Sequence, residues 1–476
     1  MNSASFPQPA AAPSALPRSS AFRRPKPSLL LMWLLGLINR WGLVRGYFRV
    51  QKIDLPRADC VRLQRAASCN TAAFLGPNHP EFGLDWVMDK EISTRVAPRM
   101  ASWAAHDVID SAPGFWTRNN LVANNGGQAA IDYSVSWALK GRGVLVHPEG
   151  MVRWTSNKVH PLFHGIAEMA CEAARVAARD GGVRPVYVVP IVWKFRYTSD
   201  VSAGMHREME RIETELRLRR HTGASVSERF LALQENLLAR QMAAFGFNRW
   251  TVHGLDFFNR QDAFRAQLVA DLQSRYRVQL SDSVDRTIHR LERAIVARRK
   301  DLPDDAGVAA DLKMVREAER LGGFSRDVYG TPTLSQEQIF ECLKRHRATL
   351  MRSGFRNALH NLLPKPYGRR VAHVRVPEPI LVDPVRASGD EVERKAYVIA
   401  LIEQAQKRMQ VTLDAINREI AAEVRVWSHP NPFAVRPMTE VTLETSRRLS
   451  RQLVGGVKWD WLLNATGQQT ASTSDA

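Results

Sequence analysis

The chain has 476 residues, enough for two or three domains or one domain with a large insertion, and its 45% hydrophobic and 24% charged composition is that of a globular protein. A formal charge of +19 calls for an anionic partner: nucleic acid, an anionic lipid surface, or a phosphorylated or acyl-thioester substrate. The four cysteines, Cys60, Cys69, Cys171 and Cys342, show no C-x-x-C spacing, which argues against a zinc ribbon or a disulfide framework and fits a reducing compartment.

Residues 1–28 are rich in Pro, Ser and Ala and are expected to be disordered. In the segment 29–49 the apolar run Leu29–Ile38 is only ten residues, against the roughly 20 needed to span a bilayer. Asn39, Arg40 and Arg45 interrupt it, and no small-x-small cleavage site follows, which disfavours a signal peptide. Trp33 and Trp41, flanked by Arg23, Arg24, Lys26, Arg40, Arg45 and Arg49, suit a membrane-interface helix on an anionic surface. The alternative is a buried packing helix with a basic flank.

Residues 50–200 read as α/β. AAFLG (72–76), GVLVHPE (143–149) and VYVVPIVW (186–193) have the apolar, β-branched character of buried strands. AAIDYSVSWALKGR and HGIAEMACEAARVAARDGG between them are helical, the second stopping at Gly181 and Gly182. Strands alternating with helices predict a mostly parallel sheet. Residues 201–365 carry five stretches with apolar residues at helical spacing and no fixed repeat, an inserted all-helical subdomain. RRVAHVRVPEPILVD (369–383) returns to strand alternation, and a long amphipathic helix follows within 366–463. The tail, 464–476, is polar and expected to be flexible.

Three blocks hold residues suited to chemistry. NHPEFGLD (78–85) follows the first strand, with Pro80 fit for the first turn of a helix; HPEGM (147–151) follows the second strand; VVPIVW forms the third. Their order, with about 70 residues between the His and Glu blocks, resembles the glycerolipid acyltransferases, typified by 1-acylglycerol-3-phosphate acyltransferase, whose blocks read N-H-x-x-x-x-D, F-P-E-G-T-R and V-P-[IV]. The resemblance covers residues 50–200 and extends through VRVPEPI and the helix after it. It implies an α/β acyltransferase-like core with a mostly parallel sheet, an N-terminal interfacial helix and the large inserted helical subdomain.

The resemblance further implies a peripheral membrane enzyme at the cytoplasmic face. It would transfer a fatty acyl group from acyl-CoA or acyl carrier protein to a hydroxyl of a lysophospholipid or related lipid, with no cofactor and no metal. His79 is then the general base and Asp85 the carboxylate that orients it, while Asn78, Glu149, Gly150, Arg153 and Lys158 lie on the substrate-binding side. The chemistry suits these types. A neutral imidazole accepts a hydroxyl proton near pH 7, and a nearby carboxylate fixes its tautomer and stabilises the imidazolium. No Ser or Cys nucleophile is required.

The sequence also departs from that pattern. His79 and Asp85 have five residues between them where the family has four, and one extra helical residue turns a side chain by about 100°. Gly83 could absorb it in a bulge or a delayed helix start; Glu81 and Asp89 are substitute partners. Met151 and Val152 precede Arg153, and Tyr133 of Ile131-Asp132-Tyr133 stands where the family has an arginine, so a non-standard acceptor is expected. His147, His160 and His164 with His79 lack compact metal-ligand spacing. The arginines of the helical block lack the aromatic interleaving of single-strand binders, so no nucleic acid is expected. Two other readings stay open: a catalytically silent lipid-binding or scaffold protein on the same fold, and a basic nucleic-acid-binding protein.

Overall fold

Apolar, β-branched runs become strands wherever both of their faces can be covered. In the computed structural model these are β1 (Val50–Asp54), β2 (Ala72–Pro77), β3 (Ala101–Ala104), β4 (Leu121–Ala123), β5 (Val144–Leu145), β6 (Val186–Tyr197), β7 (Thr333–Leu334), β8 (Arg370–Arg375), β9 (Ile380–Leu381) and β10 (His429–Pro430). The structure describes residues 22–433 except 82, 98, 153, 180, 182, 183, 249–251, 282, 352–356, 358, 361 and 362. Most of the segment 1–28, the tail 464–476 and the end of the segment 366–463 lie outside the described residues.

All strands but β7 and β10 form one mixed sheet, ordered β1-β8-β6-β2-β5-β3-β4, with β9 also on β6. Neighbours are parallel except that β8 and β9 run antiparallel to β6. β8 pairs with Val192–Tyr197 and β9 with Tyr187–Val188. The break between them falls at VPEP (376–379), where Pro377 and Pro379 have no N–H to give a ladder. The expected α/β class with a mostly parallel sheet is therefore observed.

Successive strand residues point to opposite faces, and both faces are buried. Phe74, Val144 and Val188 pack with Ile166, Ala170, Leu401 and Met409 of the helices Gly165–Arg179 and Glu391–Glu419. Leu75, Leu145, Val189 and Trp193 pack with Leu63, Val87 and Ile92 of the helices Arg57–Ala66 and Leu84–Val96. This two-sided cover explains why β2 and β6 read as continuous apolar runs rather than alternating ones. Each such buried Leu, Val or Phe stabilises the fold by roughly 1.5–3 kcal/mol.

The N-terminal helix begins at Leu29 and continues through a π-helical stretch, Asn39–Tyr47. It is thus longer than its ten-residue apolar run, because Trp41, Leu43 and Val44 carry the pattern on, and its 19 residues are by length and composition enough to cross a membrane. One face docks on the helix Leu84–Val96: Asn39 Nδ2 donates to Val87 O at 2.9 Å, Arg40 pairs with Glu91 at 3.1 Å, and Gly36 lets Thr94 approach. Leu30, Trp33, Leu34, Ile38 and Trp41 on this helix are exposed.

Two units divide the chain. One comprises the described residues up to Met205 together with Ser335–Ser428 and holds the large sheet; the other comprises His206–Leu334 with the described residues from His429 on. The second unit is helical. Ser225, Asp256, Ser283 and Asp305 each cap a helix by accepting a backbone N–H, every such cap contributing about 1 kcal/mol. Phe230, Phe257, Phe258, Phe324 and Phe433 form its aromatic core, and β10 pairs with β7.

The helical block was expected to run to 365, but the helix Gln336–Leu350 belongs to the first unit. Its charged sequence reads as solvent-facing, yet Glu337, Glu341, Lys344, Arg345 and Arg347 are buried. Partners in the first unit make that possible. Glu337 accepts the Tyr197 N–H at 2.7 Å, Glu341 accepts the Ser156 N–H at 3.1 Å, and Lys344 pairs with Glu81 at 2.5 Å. Arg370 completes the cluster, with Nη1 on Glu81 at 3.0 Å and Nη2 on the Tyr197 hydroxyl at 2.6 Å. Burial, with help from the Arg370 charge, pushes the Lys344 ammonium down to about 8 against the pull of Glu81. Glu81→Gln should strand two buried cations and lower the stability of this unit by about 3–5 kcal/mol. Guanidinium unfolding of the variant measures it, and a loss below about 1 kcal/mol would contradict the assignment.

Candidate functional site

Crevices at the carboxyl ends of parallel strands are where open α/β sheets bind ligands, and the His79 loop leaves β2 there. Asn78 continues the strand with its side chain. Its backbone N–H donates to Ile191 O at 3.1 Å, Nδ2 donates to Trp193 O at 3.0 Å, and Oδ1 accepts the Trp193 N–H at 2.9 Å. The amide thus imitates two rungs of a ladder and fixes where His79 begins. Gly83, at φ 81° and ψ −54°, then opens the helix Leu84–Val96, with Asp85 in its first turn. That late start takes up the extra residue. Asp85 Oδ2 lies 2.7 Å from His79 Nδ1.

Asp85 is fully buried and is met by three donors. Oδ2 accepts the Glu81 N–H at 2.9 Å as well as facing His79, and Oδ1 accepts the Trp193 indole N–H at 3.0 Å. Burial lifts this carboxyl well above the ordinary range, with the charges of Asp89 and Glu81 adding to the rise, while the Glu81 and Trp193 donors oppose it. His79 keeps 17% of its side-chain surface exposed, so the pair is buried on the acid side and open on the imidazole side.

A second pair lies against the first. β5 runs parallel beside β2, with Val146 N–H donating to Leu75 O at 2.9 Å, so the HPEG loop starts next to the His79 loop. The His147 ring stacks on His79 with centroids 4.0 Å apart and planes 17° from parallel. His147 Nδ1 is 3.2 Å from Asn78 O and Nε2 is 3.0 Å from Asp89 Oδ2. Asp89, four residues after Asp85, is therefore the partner of His147 and not a substitute partner of His79. Glu81, the other substitute, is held by Lys344 and Arg370. Burial pulls the His147 imidazolium down, but the Asp89 charge and hydrogen bond, the Glu149 charge and the Asn78 carbonyl together leave it raised above its ordinary value.

The residues expected on the substrate side divide. Asn78 and Glu149 are buried and committed to backbone: Glu149 Oε1 accepts the His79 N–H at 3.0 Å and Oε2 the His160 N–H at 3.4 Å. These bonds brace the two loops. Gly150 has φ 71° in a tight turn, and a Cβ there would come within 2.5 Å of the Phe163 ring. Lys158 is half-buried in the following loop, which Gln406 and Gln410 of the long helix hold by accepting the Leu162 and Val159 N–H groups at 3.3 and 2.8 Å. Arg153 lies outside the described residues. The Tyr133 hydroxyl is bonded to Asn120 Oδ1 at 2.6 Å.

Sequence reasoning gave His147 no role of its own; its ring nitrogens face the Asn78 carbonyl and the Asp89 carboxylate. It also missed Trp193, Lys344 and Arg370. The adjacency of β2 and β5 was the available signal for His147, whereas nothing local marks the other three. Asp54, His373 and Glu419 form another cluster, with ligand atoms within 4.8 Å of one another. Arg375 Nη2 bonds Asp54 at 2.9 Å and Glu419 at 2.8 Å, supplying the cation that these carboxylates need.

Gly83→Ala would force a Cβ into a left-handed backbone conformation, at a cost of about 1–3 kcal/mol, and move Asp85 off His79. The downfield imidazole Nδ1 proton resonance, assigned by its loss in Asp85→Asn, should weaken or shift. A variant with unchanged resonance and unchanged unfolding midpoint would contradict this account of the helix start. Compared with known proteins, the chain matches no family model and no curated protein.

Proposed function

We propose that the protein is a peripheral membrane O-acyltransferase that moves a fatty acyl group from acyl-CoA or acyl carrier protein to a hydroxyl of a lysophospholipid or related lipid. The observation that carries this reading is the His79–Asp85 pair, a part-exposed imidazole whose Nδ1 is held at 2.7 Å by a fully buried carboxylate. With the proton on Nδ1, the basic lone pair sits on Nε2. Nε2 takes the acceptor hydroxyl proton as the oxygen attacks the thioester carbonyl; the C–S bond breaks, and the thiolate leaves with that proton. The order of the three sequence blocks, resembling the glycerolipid acyltransferases, supports the same chemistry. Tyr133 in place of an arginine, its hydroxyl already bonded to Asn120, favours an acceptor other than lysophosphatidic acid.

Acyl transfer into a lipid extract, wild type against variants, tests the reading. His79→Ala should lose about 10²–10⁴-fold in turnover, and Asp85→Asn somewhat less. Near-normal turnover in His79→Ala would reject His79 as the base. A wild-type protein that binds lipid and transfers nothing would instead favour the catalytically silent lipid-binding reading.

Attachment in the plane of the membrane is supported by the N-terminal helix, whose Leu30, Trp33, Leu34, Ile38 and Trp41 are exposed while Met32, Gly36 and Val44 pack inward. Arg45 and Arg49 flank that apolar face, each basic residue near an anionic surface adding about 1 kcal/mol. Replacing Leu30, Trp33 and Leu34 together by Ser removes apolar surface without touching the packed side. Vesicle sedimentation should then show loss of binding, and high salt should weaken the wild type only in part. Carbonate-resistant insertion with the N-terminus on the far side would mean that the helix crosses.

A further inference from the structure

We propose that His147 is a positioning residue that acts as a fixed cation against His79, keeping the base unprotonated near neutral pH. The inference rests on the reading of His79 as the base. Its first support is hydrogen-bond arithmetic. Asn78 O can only accept, so Nδ1 of His147 carries a proton; a carboxylate accepts as well, so Nε2 facing Asp89 carries another. A ring with both nitrogens protonated is an imidazolium. The upward shift of His147 agrees in direction.

The second support is position. The two rings are stacked with centroids 4.0 Å apart, close enough for a charge on one to act strongly on the other. The groups facing this stack come from several elements. Asp85 and Asp89 lie on the helix Leu84–Val96, Glu149 on the HPEG loop, and Glu81 on the His79 loop, neutralised by Lys344 and Arg370. The Trp193 ring, edge-on to His147 at 5.9 Å, contributes no charge. Asp85 and Asp89 thus each meet one imidazole, and the Glu149 carboxylate, bonded to the His79 backbone N–H, adds a third negative charge beside them.

Without a cation among them, that negative excess would load a proton onto His79, and a protonated imidazole cannot accept another. With His147 charged, the excess is offset while Asp85 still orients His79. The same repulsion acts after the base has done its work. Once Nε2 has taken the hydroxyl proton, two stacked imidazoliums drive it on to the departing thiolate.

The test uses the full chain. His147→Phe keeps a stacked ring without the charge, and Asp89→Asn removes the carboxylate that holds the imidazolium while keeping its shape. His147→Phe should raise the acid limb of the kcat/KM profile by about 1–3 pH units, so that activity lost at pH 7 returns at higher pH, and Asp89→Asn, which removes one negative charge along with the cation, should raise it less. A purely structural role would lower activity by the same factor at every pH, and that outcome would overturn the proposal. Imidazole ¹H–¹⁵N spectra separate it from the catalytic reading, since they need no turnover. Wild type should show His147 with both nitrogens protonated at pH 7, and His79 should titrate at higher pH in each variant. A wild-type His147 with one unprotonated nitrogen at pH 7 would sink the idea even in an active enzyme.

Discussion

A carboxylate with no access to water must be met by donors, and the geometry around Asp85 follows from that requirement. The Glu81 amide, the Trp193 indole and the His79 ring converge on its two oxygens from the loop after β2, from β6 and from the same loop again. Asn78 clamps β6 through the Trp193 backbone, on the residue whose indole meets Asp85. One residue therefore sets the position of the imidazole and of the donor that faces it across the carboxylate. Removing a donor from such a buried group leaves its full desolvation penalty uncompensated, which is why the site tolerates little independent movement of its parts.

The α/β architecture was legible because its cause is local. β2, β5 and β6 are buried on both faces, and a strand so placed has to be a short apolar run bounded by turn residues. The His79–Asp85 pair was legible as a candidate, and Gly83 as the residue able to absorb the longer spacing. What the sequence could not supply was anything set by long-range charge. Lys344 and Arg370 lie more than 260 residues beyond Glu81, and their pairing depends on a fold that brings them together. The helix Gln336–Leu350 shows why pattern reading fails there. A polar face looks the same in sequence whether it meets water or buried partners, so a helix of the first unit was assigned to the helical block.

His147 illustrates an intermediate case. Its place at the end of a parallel strand was correctly read, but its neighbour could be known only from the strand order, with β5 directly beside β2. The stacked pair of imidazoles, each with its own carboxylate from one helix at i and i+4, is then a consequence of helical pitch. Asp85 and Asp89 rise one turn apart along the Leu84–Val96 helix, and each holds one ring of the stack.

The way the chain leaves the sheet after β6 has a consequence of its own. β6 ends at Tyr197 opposite Arg370, the first residue of its antiparallel neighbour β8, and the Val201 N–H is bonded to Gln336 Oε1 at 2.6 Å. The exit and the return are therefore stapled side by side within the first unit. Topologically, everything between them is the tip of one hairpin. Closing a loop costs only about 0.6 kcal/mol more for each doubling of its length, so the tip can be lengthened, shortened or replaced by a short linker at little expense to the sheet. The sheet-bearing unit of this chain is built as a self-contained scaffold onto which a second unit of almost any size could be grafted without shifting His79.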